Sequence, residues 1–170
     1  MVGMIEPLKL TAGGRLHVRP AEVDDAPFAR ALYLATGKPL LRAIGKEENR
    51  LVGRFRAVYK RRESWILGDG QDNIGWLQIA EGRRQVALRQ LYLVASHRNR
   101  GIGTAVIREL QDQAARQGKA VVLRVLKGNP AAALYRRLGF VAVRETDEWF
   151  DMRWRLPESR GRAVPPGLLD

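Results

Sequence analysis

The spacing of apolar residues predicts a chain that mixes strands and helices. Short apolar runs of the kind that form strands alternate with segments in which apolar residues recur at helical spacing. The predicted order is one strand, two helices, three antiparallel strands, a helix, a strand, a helix and two final strands. The predicted strands are Arg15–Arg19, Ser64–Leu67, Ile74–Ala80, Val86–Val94, Ala120–Val125, Val141–Arg144 and Trp149–Trp154.

Local signals refine three parts of this pattern. Asn129 followed by Pro130 predicts a helix start, because asparagine is a good N-cap and proline is favoured at the first helical position. The segment Thr36–Gly45 contains two glycines and Pro39, so a loop is expected there. Val86–Val94 is almost continuously apolar, which predicts a strand buried on both faces.

Length and composition indicate one domain with short extensions. The 170 residues contain 45% hydrophobic and 28% charged residues, an ordinary globular balance. The domain is expected to span 15–156, with 1–14 and 157–170 as extensions that are partly mobile. No export signal and no apolar stretch long enough for a membrane span is visible. A soluble protein located in the cytoplasm is therefore expected.

Composition also excludes several kinds of chemistry. The chain has no cysteine and only two histidines. This excludes disulfides, thiolate metal sites and cysteine nucleophiles, and we expect no metal site. A net charge of +12 favours polyanionic partners, although an arginine bias can equally reflect genomic base composition. No motif typical of nucleic-acid-binding domains accompanies the charge, so a nucleic-acid partner is not expected.

A basic turn containing two glycines lies between the fourth predicted strand and the helix that follows it. Its sequence is Arg98-Asn99-Arg100-Gly101-Ile102-Gly103-Thr104. Glycine permits close approach of the backbone to a ligand, and the first N–H groups of a helix are unpaired donors that favour anions. The turn is therefore predicted to bind a phosphate or pyrophosphate group.

Two common nucleotide-binding motifs do not fit this turn. The chain contains no P-loop string of the form G-x-x-x-x-G-K-[ST]. A dinucleotide-binding turn would have a glycine or alanine where Val106 stands, and an acid where the next strand ends in Arg124 and Val125.

The residues match a different family. Arg98-x-x-Gly101-x-Gly103 resembles the [Q/R]-x-x-G-x-[G/A] pyrophosphate loop of the GNAT superfamily of acyl-CoA N-acetyltransferases. Residues 90–94 resemble its fourth strand, and residues 129–140 resemble its N-P-A-x-x-L-Y-x-x-L-G-F helix. The resemblance implies an α/β (α+β) fold with a mixed, mostly antiparallel sheet of six to seven strands. About four helices would flank that sheet, which would splay apart between strands four and five.

The resemblance also implies a role for each residue of the site. Acetyl-CoA would be the co-substrate, with its pantetheine arm against the backbone of strand four and its pyrophosphate against the turn. Asn129 would approach it from the other side, and Tyr135 takes the place of the general acid. The implied cofactor-binding residues are Leu91, Leu93, Arg98, Asn99, Arg100, Gly101, Ile102, Gly103, Thr104, Asn129 and Tyr135.

The implied activity is transfer of an acetyl group to a primary amine by direct attack in a ternary complex. The amine could belong to a small molecule, an amino acid or a peptide, and a homodimer is open. No general base is assigned. Trp76 and Gln78 share a strand face and could line an acceptor pocket, although packing is the default for such residues. Two alternatives remain: a non-catalytic acyl-CoA-binding domain, and a module that acts on substrates linked to nucleic acid.

Overall fold

The computed structural model describes residue 6 and residues 8–10 and 15–155, and its elements follow the predicted order. The strands are β1 (Leu16–Pro20), β2 (Ser64–Asp69), β3 (Asp72–Glu81), β4 (Gln85–Leu93), β5 (Ala120–Leu126), β6 (Val141–Glu145) and β7 (Trp149–Trp154). The helices are α1 (Ala26–Ala43), α2 (Asn49–Val58), α3 (Ile102–Arg116) and α4 (Ala131–Arg137).

The seven strands form one sheet in the order β1-β2-β3-β4-β5-β7-β6. Every neighbouring pair is antiparallel except β4 and β5, which run parallel and are joined by α3. A parallel pair needs such a crossover, whereas antiparallel strands can be joined by short turns. This mixed, mostly antiparallel sheet with four helices confirms the expected fold class.

The helices cover the two faces of the sheet, and a separate apolar cluster lies on each. On one face, α1 and α2 pack over β2 to β4 around the fully buried Ile66 and Trp76. On the other face, α3 and α4 pack through Val106, Leu110 and Tyr135. Leu8 joins this second cluster and is only 5% exposed, so part of the N-terminal extension packs on the core. The predicted tail 157–170 lies outside the described residues, as does most of 1–14.

The predicted loop at Thr36–Gly45 is wrong, because α1 continues to Ala43 with Pro39 inside it. Glycine and proline are the least favourable residues in a helix interior, so the sequence signal was real and a tertiary contact overrides it. A Cβ on Gly37 would lie 2.8 Å from Cδ1 of Leu51, a buried residue of α2. Glycine therefore allows the two helices to approach closely, and their packing stabilises the helical turn.

The prediction that the fourth strand is buried on both faces is also wrong. Val86 and Leu88 are buried, but Arg89 is exposed and residues 90–93 are only half-buried. The reason is that β5 lies beside only the first part of β4. The second part of β4 is apolar and yet borders an open gap.

Candidate functional site

The sheet opens between β4 and β5. The two strands pair only from Gln85–Leu88 on β4 and 120–123 on β5, although β4 continues to Leu93 and β5 to Leu126. The ladder between β3 and β4 contains a bulge here, because Gln78 faces Gln90 while the next residue, Ile79, faces Leu88. A bulge bends its strand and increases its twist. The predicted splay is therefore present, and it begins at the bulge.

Past the bulge, β4 presents backbone groups to the gap. The N–H of Val94 donates to the Ile74 carbonyl at 2.9 Å, and bonded and non-bonded pairs alternate along an antiparallel ladder. Leu91 and Leu93 therefore belong to the non-bonded pairs with β3, and their N–H and C=O groups point away from it into the gap. The Leu93 carbonyl accepts a hydrogen bond from Arg98 Nε at 2.9 Å. The two leucines thus lie where a strand-like ligand could pair with them.

The glycine turn lies at the wide end of this gap and leads into α3. Gly101 caps the helix with φ +78°, and a Cβ there would have no other atom within 4 Å. The first intrahelical bond runs from the N–H of Ala105 to the Gly101 carbonyl at 3.0 Å. The N–H groups of 102–104 precede this bond and are free to bind an anion. A Cβ on Gly103 would meet only Leu134 Cδ2, at 3.7 Å, so space also remains above the first helical turn.

Asn99 and Arg98 contribute to the turn in different ways, Asn99 through its backbone and Arg98 through its side chain. Asn99 has φ +56°, a left-handed conformation uncommon for a residue other than glycine. The N–H of Arg98 donates to the Ala95 carbonyl at 3.3 Å, so the free backbone donors of the turn begin at Asn99. The Arg98 side chain faces Leu93 and Thr36, whose Oγ1 accepts from Nη2 at 3.3 Å. Sequence reasoning missed this side-chain role because Thr36 is remote in the chain.

Helix α4 carries the remaining predicted residues and lies against the start of α3, where a Cβ on Gly103 would meet Leu134 at 3.7 Å. Asn129 Oδ1 accepts from the N–H of Ala131 at 2.9 Å, so Asn129 caps the helix as predicted. Tyr135, one helical turn and a half further on, is 9% exposed and packs its ring against Phe140 at 5.8 Å between centroids. Burial raises the pKa of Tyr135 to about 12. The phenol therefore stays protonated at neutral pH and can donate a hydrogen bond.

A second phenol on β4 lies on the face that α1 and α2 cover. Tyr92 donates its hydroxyl to Gln90 Oε1 at 2.7 Å. Burial raises the pKa of Tyr92, and the neighbouring phenols of Tyr33 and Tyr135 raise it further. The sequence signal for Tyr92 was its alternation with Leu91 and Leu93, which places it on the opposite face of β4.

Trp76 and Gln78 do not line a pocket, because both are fully buried. The indole Nε1 of Trp76 donates to Ser64 Oγ at 3.1 Å, and Gln78 Nε2 donates to the Val58 carbonyl at 3.0 Å. The amide of Gln78 therefore bonds to the end of α2. The default interpretation of these two residues as packing residues is confirmed.

An ion pair joins the connection between α1 and α2 to the turn between β6 and β7. Lys46, in the connection between α1 and α2, lies 2.6 Å from Glu148 in the turn between β6 and β7. The N–H of Lys127, directly after β5, donates to the Glu148 carbonyl at 2.8 Å. The connection between α1 and α2 therefore contacts the turn between the two C-terminal strands.

Within residues 6, 8–10 and 15–155, no group of acidic and histidine side chains is arranged to hold a metal ion. None of the helices in that part of the chain has the length and apolarity needed to cross a membrane.

Comparisons with known proteins support the family inferred from the motifs. Residues 60–142 match the family model described as an acetyltransferase (GNAT) domain. No curated protein shows significant similarity to the chain. Many solved structures do resemble it, and three illustrate the range.

The PaiA N-acetyltransferase of Thermoplasma acidophilum, solved with coenzyme A, has a TM-score of 0.69 and 16% identity over 83% of this chain and 99% of its own. The ribosomal-protein-S18-alanine N-acetyltransferase of Escherichia coli has a TM-score of 0.58 and 19% identity, over 85% of this chain and 97% of its own. The spermidine N-acetyltransferase of Vibrio cholerae, solved with CoA and spermine, has a TM-score of 0.60 and 19% identity, over 84% and 96%. Together with the splayed sheet and the glycine turn, the match leads to one conclusion: residues 60–142 of the chain form an acetyltransferase (GNAT) domain.

Proposed function

We propose that this protein transfers the acetyl group of acetyl-CoA to a primary amine. What supports this best is a set of three features on the elements around the gap. They are the outward-facing backbone of Leu91 and the N–H of Leu93 on β4, the unpaired N–H groups at the start of α3, and the protonated phenol of Tyr135 on α4. Each suits a different part of an acyl-CoA thioester.

The residues around the gap divide the binding of acetyl-CoA between them. The backbone of Leu91 and Leu93 would bond the amides of the pantetheine arm, much as an added strand does. The donors of 99–104 would bind the pyrophosphate, aided by the dipole of α3. Asn129 would lie beside the cofactor from α4. The open space above Gly101 and Gly103 fits this assignment, because a phosphate needs the backbone to be accessible.

The thioester supplies an activated acetyl group, and the chain supplies the groups that polarise it. The N–H of Leu93 points into the gap and would stabilise the oxyanion formed when the amine attacks. Tyr135 would donate its proton to the leaving sulfur, and its pKa of about 12 ensures that the proton is present at neutral pH. The chain has no cysteine to carry an acetyl group, which favours direct attack by the amine.

The acceptor is proposed as a primary amine of a small molecule, an amino acid or a peptide. The two relatives with 19% identity are named for acceptors as different as a ribosomal-protein alanine and spermidine, so the fold alone does not choose between them. The connection between α1 and α2 contacts Glu148 through Lys46 and lies on the sheet face opposite α3 and α4. We propose that the amine enters there.

The acetyltransferase domain would span 15–156. A chain without cysteine suits a reducing environment, so we propose a location in the cytoplasm. Coenzyme A is a polyanion, so the net charge of +12 is compatible with this ligand and does not by itself imply a nucleic-acid partner.

The first test is calorimetric titration with acetyl-CoA at low and raised salt, with ATP as a polyanion control. We expect selective binding of acetyl-CoA that persists at raised salt, followed by acetyl transfer in a panel of amines. Equal binding of both ligands that disappears with salt would mean that the arginines attract charge without a built site. Selective binding without turnover on any amine would favour the non-catalytic acyl-CoA-binding alternative.

A further inference from the structure

Helix α1 contains one turn that its own sequence does not support. The turn is Thr36-Gly37-Lys38-Pro39, and glycine and proline are the residues least compatible with a helix interior. Proline has no N–H, so the carbonyl of Ala35 loses its usual intrahelical donor. The second half of α1 is therefore held in a helix by contacts from outside.

Two contacts hold this turn. Leu51 of α2 packs against the open face of Gly37, where even a Cβ would lie 2.8 Å from it. Arg98 Nη2 donates to Thr36 Oγ1 at 3.3 Å. The first contact belongs to the helix pair itself, whereas the second comes from the glycine turn that is proposed to bind the cofactor.

Arg98 thus connects three parts of the site. Its backbone lies in the cofactor turn, its Nε donates to the Leu93 carbonyl at 2.9 Å, and its Nη2 donates to Thr36. A planar guanidinium presents Nε and Nη2 as separate donors in fixed directions, whereas the three donors of a lysine ammonium share one nitrogen on a flexible stem. The contact to Leu93 also orients the peptide beside the proposed oxyanion donor.

The second half of α1 leads into the connection that carries Lys46 to Glu148. Movement of the unsupported turn would therefore move the side of the gap where the amine is proposed to enter. A ligand that fixes the backbone of the cofactor turn would fix Arg98, and with it this turn of α1.

We propose that Arg98 is a positioning residue that couples occupancy of the cofactor turn to the order of the second half of α1, so that coenzyme A prepares the acceptor side. This inference rests on the proposed function for the identity of the ligand. Such coupling requires that coenzyme A change the stability of α1, and reciprocally that α1 affect the affinity for coenzyme A.

The experiment is amide hydrogen exchange on the full chain, followed by mass spectrometry of peptides covering 34–43, with and without saturating coenzyme A. In the wild type we expect coenzyme A to slow exchange in these peptides. Thr36→Val keeps the side-chain shape but removes the acceptor oxygen. It should speed exchange of the free chain by about fivefold, as expected for loss of one hydrogen bond. It should also abolish the slowing caused by coenzyme A.

Matched variants separate coupling from general damage. Thr36→Ser restores the hydroxyl and should restore the effect of coenzyme A. Arg98→Lys should lose it, because the donors of lysine share one nitrogen and have no rigid fork that fixes both partners together. Arg30→Gln removes an exposed arginine of α1 that lies more than one turn away and should change nothing. Pro39→Ala should slow exchange of α1 without coenzyme A, because it restores the missing N–H.

An effect of coenzyme A in Thr36→Val equal to that in the wild type would overturn the proposal. So would exchange in α1 of the wild type that does not respond to saturating coenzyme A. Failure of the proposed function would be seen separately, as absence of coenzyme A binding to the wild type by calorimetry.

Discussion

The two faces of the sheet contrast in how their helices are specified. On the cofactor face, α3 and α4 begin and end at residues with strong local preferences, such as Gly101, Gly118 and Asn129. On the other face, α1 passes through Gly37 and Pro39, which local preference would exclude. The ends of α3 and α4 are therefore specified by local residues, whereas the helical conformation of α1 depends on contacts with neighbouring elements.

This difference has a functional meaning. A site for a constant ligand such as coenzyme A needs backbone groups in a fixed geometry, and capping residues and glycines provide that locally. The helices on the acceptor side are stabilised by packing of Gly37 on Leu51 and by the reach of Arg98. Contacts of this kind can change with the ligand, and they leave no periodic signal in the sequence.

The largest expected effect concerns chemistry on the cofactor side. Tyr135→Phe removes the proposed acid but keeps the buried ring against Phe140. We expect kcat to fall by about 100-fold or more, as is typical for loss of a general acid, with acetyl-CoA affinity unchanged. Steady-state kinetics and calorimetry measure the two quantities. The control is Tyr33→Phe, on the opposite face, which should retain most of the activity. An unchanged kcat in Tyr135→Phe would remove this residue from the mechanism.

The next effect concerns the binding of the cofactor by the glycine turn. Gly103→Trp should weaken acetyl-CoA binding by more than about tenfold, because the side chain fills the space above the first turn of α3. The thermal midpoint should change little, since a Cβ at this position makes only ordinary contact with Leu134. Calorimetry and thermal unfolding test the two statements. Undiminished affinity with an intact fold would contradict the assignment of the turn.

A third prediction concerns the pH dependence of stability that arises from the buried phenols. The ordinary tyrosine pKa is 10.0, and burial raises the pKa of Tyr135 to about 12 and also raises that of Tyr92. Above pH 10 the unfolded chain has released protons that the folded chain keeps, so the free energy of unfolding falls as pH rises. The slope approaches about 1.4 kcal/mol per pH unit for each retained proton.

Denaturant unfolding between pH 9 and 12, followed by phenolate absorbance, measures this slope. In Tyr135→Phe the fall of unfolding free energy with pH should be less steep, by the contribution of one retained proton. A stability that does not fall in this range would show that the phenols ionise in the folded state.

The smallest effect compares two glycines of the acceptor side. Gly53 in α2 has open space around it, and Gly53→Ala should stabilise the protein by about 0.5–1 kcal/mol through helix propensity. Gly37→Ala gains the same propensity but forces the buried Leu51 to shift, so we expect no net stabilisation. Denaturant unfolding of both variants gives the difference. Equal stabilisation by the two substitutions would show that the packing of α1 on α2 does not require glycine.

The sequence by itself determined the order of elements, the glycine turn and the helix that carries Asn129 and Tyr135, while the mixed sheet was implied by the family resemblance. These features depend on residues close together in the chain: apolar periodicity, caps and the left-handed preference of glycine. The family motifs follow the same residues, which is why they could be found without a structure.

Only the tertiary structure decided the rest. Three features depend on residues that are far apart in sequence. They are the continuation of α1 to Ala43, the exposure of Arg89 beside the bulge, and the contact of Arg98 with Thr36. Helix propensity is a weak preference per residue, and packing of a distant side chain such as Leu51 can outweigh it. The packing of α1 is built from such long-range contacts, so the local sequence could locate the glycine turn but not the course of α1 on the other face of the sheet.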